Sequence, residues 1–342
     1  MVRPSAGDGD EEPQQEKEPD PPPHVKGAYR NPGELIRYLP CGMSRVFVGL
    51  DCGGSSTRLL AVSCAGDILA SAQSGSANLV STPEKRLLKN LTAAAEECPP
   101  ANFVCGGFAG LVGEEDRQRA LAYLSVVFPG AKVRAEPDYF AAFAASEAGT
   151  DVCVIAGTGS LVCSRVKGQI EKSGGRGYLL GDEGSAFQYG RDALIAFLDD
   201  PGSVGALVVE TIERSFRTRE PRAVISHVYR GGSPQAPVAR LAKGLVQDAK
   251  DGRPYALASI EKNARALAGV VVGHVAKFGI GKDGQVRVSL AGGLWQGTGL
   301  IRDALAGSLT ELDPERKYEL TRIQRAPVQG AVDLAREMAD GN

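Results

Sequence analysis

The chain has 342 residues, of which 43% are hydrophobic and 23% charged, and its formal net charge is −2. The composition is ordinary for a globular protein, and the length exceeds what one compact core usually takes, so two domains are the default expectation. A near-neutral charge gives no electrostatic reason to bind nucleic acid or an anionic membrane. No apolar run approaches the about 20 residues that cross a bilayer.

The three histidines (His24, His227, His274) are scattered, and the seven cysteines are odd in number and form no CxxC pair, which argues against zinc and against a disulfide framework. Buried thiols and a cytoplasmic location are expected.

Residues 1–42 form a separate regime, with Asp8-Gly9-Asp10-Glu11-Glu12-Pro13 and Glu18-Pro19-Asp20-Pro21-Pro22-Pro23. Such sequence buries too little apolar surface to offset chain entropy, so a disordered tail is predicted, and Met43 is an alternative start. A β-meander follows, with strands near 45–50, 57–64 and 67–74 and hairpin chemistry at Ala65-Gly66-Asp67. Its first connection is Asp51-Cys52-Gly53-Gly54-Ser55-Ser56-Thr57, where glycines let backbone N–H groups converge on a small anion. A helix is predicted near 83–97, capped by Thr82 with Pro83 at its first position, then a buried strand at 102–108 and a helix from Glu114. After a short strand at Lys132-Val133-Arg134, Glu136-Pro137-Asp138-Tyr139 opens another helix.

A second β-β-β unit begins at 152 and contains the turn Ala156-Gly157-Thr158-Gly159-Ser160. In both units the glycine turn joins strand to strand, which excludes the strand–glycine–helix order of dinucleotide folds. Either turn alone reads equally well as a tight hairpin; two of them, the first beside Asp51, favour paired phosphate loops. The repeated order fits two α/β lobes facing across a cleft: an N-terminal lobe over 43–147, completed by a helix at 325–340, and a C-terminal lobe over 148–324 with a helical insertion at about 190–278. Sheet sequence returns at Val286–Leu294, and a last helix is read at Gln329–Glu337.

Phosphoryl transfer needs charge neutralisation, in-line geometry and a carboxylate to take the acceptor's proton. Asp51 is placed to hold Mg²⁺ directly or through water. Asp138 is either the base or a plain helix cap. Asp182-Glu183 lies in the glycine-dense stretch Gly174–Phe187 and is either close to a ligand or an ordinary acidic helix start. Gly279-Ile280-Gly281-Lys282-Asp283 lacks the hydroxyl and upstream glycine of a P-loop.

The ordered set Asp51–Thr57, Asp138–Ala142, Ala156–Ser160, Gly181-Asp182-Glu183-Gly184-Ser185 and Ala291-Gly292-Gly293 resembles the N-acetylglucosamine kinase branch of the BadF/BadG/BcrA/BcrD ATPases, within the actin-like, sugar-kinase and heat-shock ATPase superfamily. The resemblance spans about 45–340 and implies an α/β fold of two ribonuclease-H-like lobes around a cleft, using ATP and Mg²⁺. It also implies that Gly53, Gly54, Ser55, Ser56 and Thr57, with Gly157, Thr158, Gly159 and Ser160, bind the phosphates, and that Ala291, Gly292 and Gly293 face the adenosine. Asp138 would be the base on a sugar 6-hydroxyl, with Asn78, Gly175, Arg176 and Asp182 at the sugar. The chain departs from the pattern of the animal enzymes twice: Ala109-Gly110-Leu111 replaces a serine-glycine-glycine contact, and Arg176 replaces a tryptophan. The activators of acyl-CoA dehydratases share the fold but need cysteines at an iron–sulfur cluster, and no cysteine follows Cys163.

The expected activity is therefore an ATP-dependent hexosamine kinase, acting on N-acetylglucosamine or glucosamine. The alternative is a sugar sensor or conformational ATPase of the same fold, and the retained Asp138 speaks for the kinase. A homodimer is compatible with the chain.

Overall fold

The computed structural model describes residues 45–297 and 299–340. The expected disordered tail at 1–42 and the alternative start at Met43 lie outside these residues.

Strands β1 (Val46–Cys52), β2 (Thr57–Ser63) and β3 (Ile68–Ser74) form the meander, and β4 (Phe103–Phe108) and β5 (Lys132–Pro137) extend it in parallel, giving the order β3-β2-β1-β4-β5. The second sheet contains β6 (Val152–Ala156), β7 (Ser160–Val166), β8 (Gln169–Gly174), β9 (Gln285–Ala291) and β10 (Lys317–Arg322) in the order β8-β7-β6-β9-β10. Unit by unit the two orders are the same. The central strands read as apolar runs because both faces are covered: Val48, Leu50, Val104, Val152, Val154 and Val288 are buried. This is the α/β, two-lobed architecture that the repeated pattern implied. Edge strand β10 has no counterpart in the sequence reading; its alternating, half-exposed Lys-Tyr-Glu-Leu-Thr-Arg shows only two apolar residues.

Helix α1 (Glu84–Ala95) lies between β3 and β4, and α2 (Glu114–Val127) between β4 and β5. Pro83, not Thr82, is the N-cap of α1 (φ −55°, ψ 139°), and the Thr82 hydroxyl instead bonds Ser76 Oγ at 2.8 Å. Proline fixes the φ but brings no side-chain cap bond. Helix α3 (Asp138–Ala144) follows β5 directly. Between β8 and β9 the chain inserts α4 (Ala186–Asp199), α5 (Ala206–Phe216), α6 (Pro221–Arg230), α7 (Gln235–Ala239), α8 (Ala242–Lys250) and α9 (Pro254–Phe278). Helix α9, 25 residues long, starts with a proline at its first turn and stops at Gly279, which takes φ 63° without the Cβ penalty. No helix among the described residues is long and apolar enough to cross a membrane.

Helix α10 (Leu300–Leu312) joins β9 to β10, and α11 (Pro327–Glu337) then returns to the first sheet. Close approach there is built from glycines. A Cβ at Gly49 of β1 would lie 2.5 Å from Val328 O, and one at Gly330 of α11 would lie 2.0 Å from Ala141 O of α3. Gly330→Ala should therefore destabilise the protein despite alanine's better helix propensity, by about 1–3 kcal/mol of overpacking. Thermal unfolding is the check; a melting temperature equal to the parent's would mean that α3 and α11 can move apart at no cost.

His274 of α9 is fully buried, with Nε2 2.7 Å from Ser164 Oγ and Nδ1 2.8 Å from Ser173 Oγ. Burial, with the Lys277 ammonium nearby, pulls its pKa down to about 4. The folded state thus favours neutral imidazole, and stability is lost as pH falls from about 6.5, where the unfolded histidine takes its proton, towards 4. The expected loss, on the order of 2–3 kcal/mol, should appear as a lower urea midpoint at pH 5 than at pH 7 that is largely abolished in His274→Gln. An unchanged pH dependence in that variant would assign the loss to other groups.

Candidate active site

Parallel register builds the floor of the site. Cys52 pairs with Phe108 and Phe108 with Pro137, so β1, β4 and β5 end on one sheet edge. Asp51 is next to last in β1, and Asp138 is the first residue of α3. Between them β4 carries Gly106-Gly107; a Cβ at Gly107 would sit 3.1 Å from Ala141 Cβ and 3.4 Å from Asp138 Cα, so the glycine lets α3 seat against the strand. The cap position of α3 is Pro137, so Asp138 is not the N-cap residue.

The Asp138 carboxylate adds to the cost of ionising Asp51. Asp51 is pushed up to about 6, mainly by burial and then by Asp138, with Arg58, its register partner on β2, pulling the other way. Burial also raises Asp138, opposed by the amides of Tyr139 and Asp138 and by the Lys172 charge. Lys172 comes from β8 of the other sheet, its Nζ 5.4 Å from the centroid of the Tyr139 ring. It therefore presents a cation to the carboxylate from across the lobes.

The first glycine turn closes through Gly53 N–H to Ser56 O at 2.9 Å, and Ser76 Oγ donates to Gly53 O at 3.1 Å. Gly54 and Ser55 are exposed, whereas Thr57 is fully buried in β2 and its hydroxyl has no partner among the described residues. The second turn closes through Gly157 N–H to Gly159 O at 2.9 Å. The amides of Ala186 and Phe187, at the start of α4, donate to Gly157 O and Thr158 O. Ser160 Oγ donates to Glu183 O at 2.7 Å, which ties the turn to the 174–185 loop. Ser185, at the cap position of α4, is buried and its hydroxyl also lacks a partner among the described residues. Both hydroxyls are fully buried beside the turns; those of Tyr189 and Ser215 are likewise buried and without a partner among the described residues.

Asp182 is 4% exposed, takes φ 57°, and accepts hydrogen bonds from the amides of Ser160 and Gly177. A Cβ at Gly159 would lie 2.6 Å from Asp182 Oδ2, so glycine there is what admits the carboxylate. Asn78 lies between the first turn and the β4–α2 loop: Oδ1 accepts from the amides of Val80 and Ser81 at 2.8 Å, and Nδ2 has no partner among the described residues. Gly175, at φ 64°, turns the chain after β8, and Arg176 is exposed with no ion pair among the described residues.

Both turns open onto one cavity of about 730 Å³ whose lining includes Ser55, Gly157, Thr158 and Gly293. Gly292, at φ 103°, packs so closely on the end of β6 that a Cβ would lie 2.3 Å from Ala156 O. Ala291 is buried in the cluster with Ala142, Cys153 and Cys163, and the residues after β9 that line the cavity are Gly293, Leu294, Gln296 and Gly297. The opposite wall, absent from the sequence reading, is Arg240, Lys243, Gln247 and Lys250. The spacing of the last three, i, i+4 and i+7, places them on one face of α8, but nothing in the sequence distinguishes that face from an ordinary solvated one.

No group of three or more His, Cys, Asp or Glu able to cage a metal occurs among the described residues. Asp51 with Asp138 nearby suits an ion that keeps waters and takes substrate phosphates as further ligands, which is the habit of Mg²⁺.

Comparison with known proteins bears on the family and the fold. The family model "BadF/BadG/BcrA/BcrD ATPase family" matches residues 48–335. The chain is 26% identical over 315 residues to an N-acetylmuramic acid/N-acetylglucosamine kinase of Clostridium acetobutylicum, covering 86% of this chain and 99% of the relative. It is also 26% identical over 314 residues to an N-acetyl-D-glucosamine kinase of Dictyostelium discoideum, covering 85% and 97%. Among solved structures it shares the fold of a candidate N-acetylglucosamine kinase from Chromobacterium violaceum, with a TM-score of 0.64, 24% identity, and coverage of 85% and 99%. The chain belongs to the BadF/BadG/BcrA/BcrD ATPase family.

Proposed function

We propose that the chain is a carbohydrate kinase that transfers the terminal phosphoryl group of ATP to the 6-hydroxyl of an N-acetylated amino sugar, N-acetylglucosamine or a close relative, in the cytoplasm. The observation that carries the reading is the placement of Asp51 and Asp138 on one sheet edge, together with one cavity lined by Ser55 of the first glycine turn and Gly157 and Thr158 of the second. The two kinases it resembles along nearly its whole described length support the acceptor class. The free thiols of Cys52, Cys105, Cys153 and Cys163 suit a reducing compartment.

In this reading Asp138 accepts the proton of the sugar hydroxyl as that oxygen bonds to the transferring phosphorus, and the bond to the nucleoside diphosphate breaks. The Gly53–Thr57 and Gly157–Ser160 turns hold the phosphates, with exposed Ser55 and the Gly157 and Thr158 backbone on the cavity. Asp51 would hold Mg²⁺, which neutralises charge on the phosphates when bound. Asp182 spends part of its acceptor capacity on two backbone amides; a carboxylate has about four lone-pair sites, and the remainder is available to sugar hydroxyls. Asn78 Nδ2 is the matching donor.

The test is ADP release over N-acetylglucosamine, N-acetylmuramic acid, glucosamine and glucose. Sugar-dependent release with at least one amino sugar is expected, and a rate indifferent to every sugar would favour a conformational ATPase.

Arg176 gives a separate prediction. A guanidinium repels a protonated 2-amino group and donates to an acetyl carbonyl or a carboxylate. N-acetylated sugars should therefore exceed glucosamine in kcat/KM, and Arg176→Ala should narrow the ratio by about tenfold, the scale of one lost polar contact. A ranking untouched by the substitution would place Arg176 outside the pocket.

A further inference from the structure

The cavity that both glycine turns line is cationic on its α7–α8 side. Arg240, Lys243 and Lys250 all line it, no lining residue is acidic, and none of the three cations has an ion pair or side-chain hydrogen bond among the described residues. The phosphates of a bound nucleotide go to the two turns, and the nucleoside beyond them is uncharged. The nearest carboxylate to the wall in the hydrogen-bond network is Asp251, which accepts from Gln247 Nε2 at 2.9 Å and is not itself in the lining. A recess with three cations outside any ion pair among the described residues concentrates polyanions. Lys243 and Lys250 lie on one face of α8, separated by about 10 Å along the axis, so one extended anion can reach both.

We propose that this cavity also takes a linear inorganic polyphosphate as phosphoryl donor, with its terminal phosphoryl at the glycine turns and its chain along Arg240, Lys243 and Lys250. The proposal rests on the kinase reading above. The step balances without a further reactant: the terminal P–O–P bond breaks, the phosphorus bonds to the sugar oxygen, the hydroxyl proton passes to Asp138, and the chain leaves one phosphate shorter. Lysine stems packed on a nucleoside with their ammonium groups in solvent are the plainer role for this wall, and the two roles separate experimentally.

The experiment compares ATP with nucleotide-free polyphosphate as donor to the best amino sugar, in the parent and in Lys243→Met/Lys250→Met, with displacement of a fluorescent ATP analogue by polyphosphate as a direct binding readout. Sugar phosphate is expected from polyphosphate alone. The double variant should lose at least about 100-fold in kcat/KM for polyphosphate but no more than about tenfold for ATP, because charge-assisted contacts to two phosphates are removed in the first case only. Lys243→Arg/Lys250→Arg should retain polyphosphate use, and added salt should weaken polyphosphate binding more than ATP binding. ATP-driven phosphorylation with neither product nor displacement from polyphosphate overturns the proposal, as does an equal loss for both donors in the double variant. If ATP phosphorylates no amino sugar, the kinase reading fails by itself; displacement of the analogue then still upholds a polyphosphate site, and its absence removes it.

Discussion

Asp138→Asn is expected to lower kcat by about 100-fold or more, the usual range for removing a positioned general base, while nucleotide affinity stays within a few-fold of the parent's. The substitution is nearly isosteric. Asparagine Oδ1 can still accept from the Tyr139 amide that holds the carboxylate, so the start of α3 has no reason to rearrange. What is lost is the capacity to take a proton, together with the charge that Lys172 faces from β8. Single-turnover measurement with saturating sugar isolates the chemical step from product release. Near-parental turnover would reduce Asp138 to a structural first-turn residue; loss of nucleotide binding in parallel with turnover would mean that the charge holds the cleft together and is not the base.

Much of this site is visible in the sequence because its parts are local. Two strand–glycine–strand turns, an aspartate at the end of β1 and another just after β5 are each contained within a few residues, and the ordered repeat predicts that they share one edge. What the sequence hides is contact between distant segments. The Asp182 carboxylate links the second turn, through the amide of Ser160, to Gly177 of its own loop, and this goes with a left-handed backbone at a non-glycine residue. The wall formed by Lys243, Gln247 and Lys250 belongs to a helix whose cavity side mixes these residues with Ala242 and Val246, so no sequence pattern separates it from a solvated face. The cap of α1 shows a smaller effect: Thr82 has the right chemistry for a cap, but its hydroxyl is taken by Ser76 and the position falls to Pro83. Strand β10 is missed because an edge strand needs to bury only one side, which leaves too few apolar residues to register.

The same physics makes Asp51 informative, because its expected effects on activity and on stability have opposite signs. Its pKa in the folded protein is about 6, above the ordinary 3.8, mainly through burial and then through Asp138. A carboxyl whose folded pKa is raised opposes folding once pH exceeds its unfolded value, and by pH 7 the full cost is present. Allowing for partial solvation, that cost is on the order of 1–3 kcal/mol. Asp51→Ala should therefore leave the ligand-free protein as stable as the parent or more so at neutral pH, and the gain should vanish as pH falls towards 4. Turnover should move the other way, by about 100-fold or more, with a higher Mg²⁺ concentration needed for half-maximal rate, because the carboxylate that would hold the ion beside the first glycine turn is gone. Thermal melts across pH and Mg²⁺ titration of the rate are the two measurements. A variant both less stable and less active, with unchanged Mg²⁺ dependence, would show that Asp51 is a packing residue of β1; higher stability with a raised Mg²⁺ requirement is the pattern of a charge held at a folding cost for its chemistry.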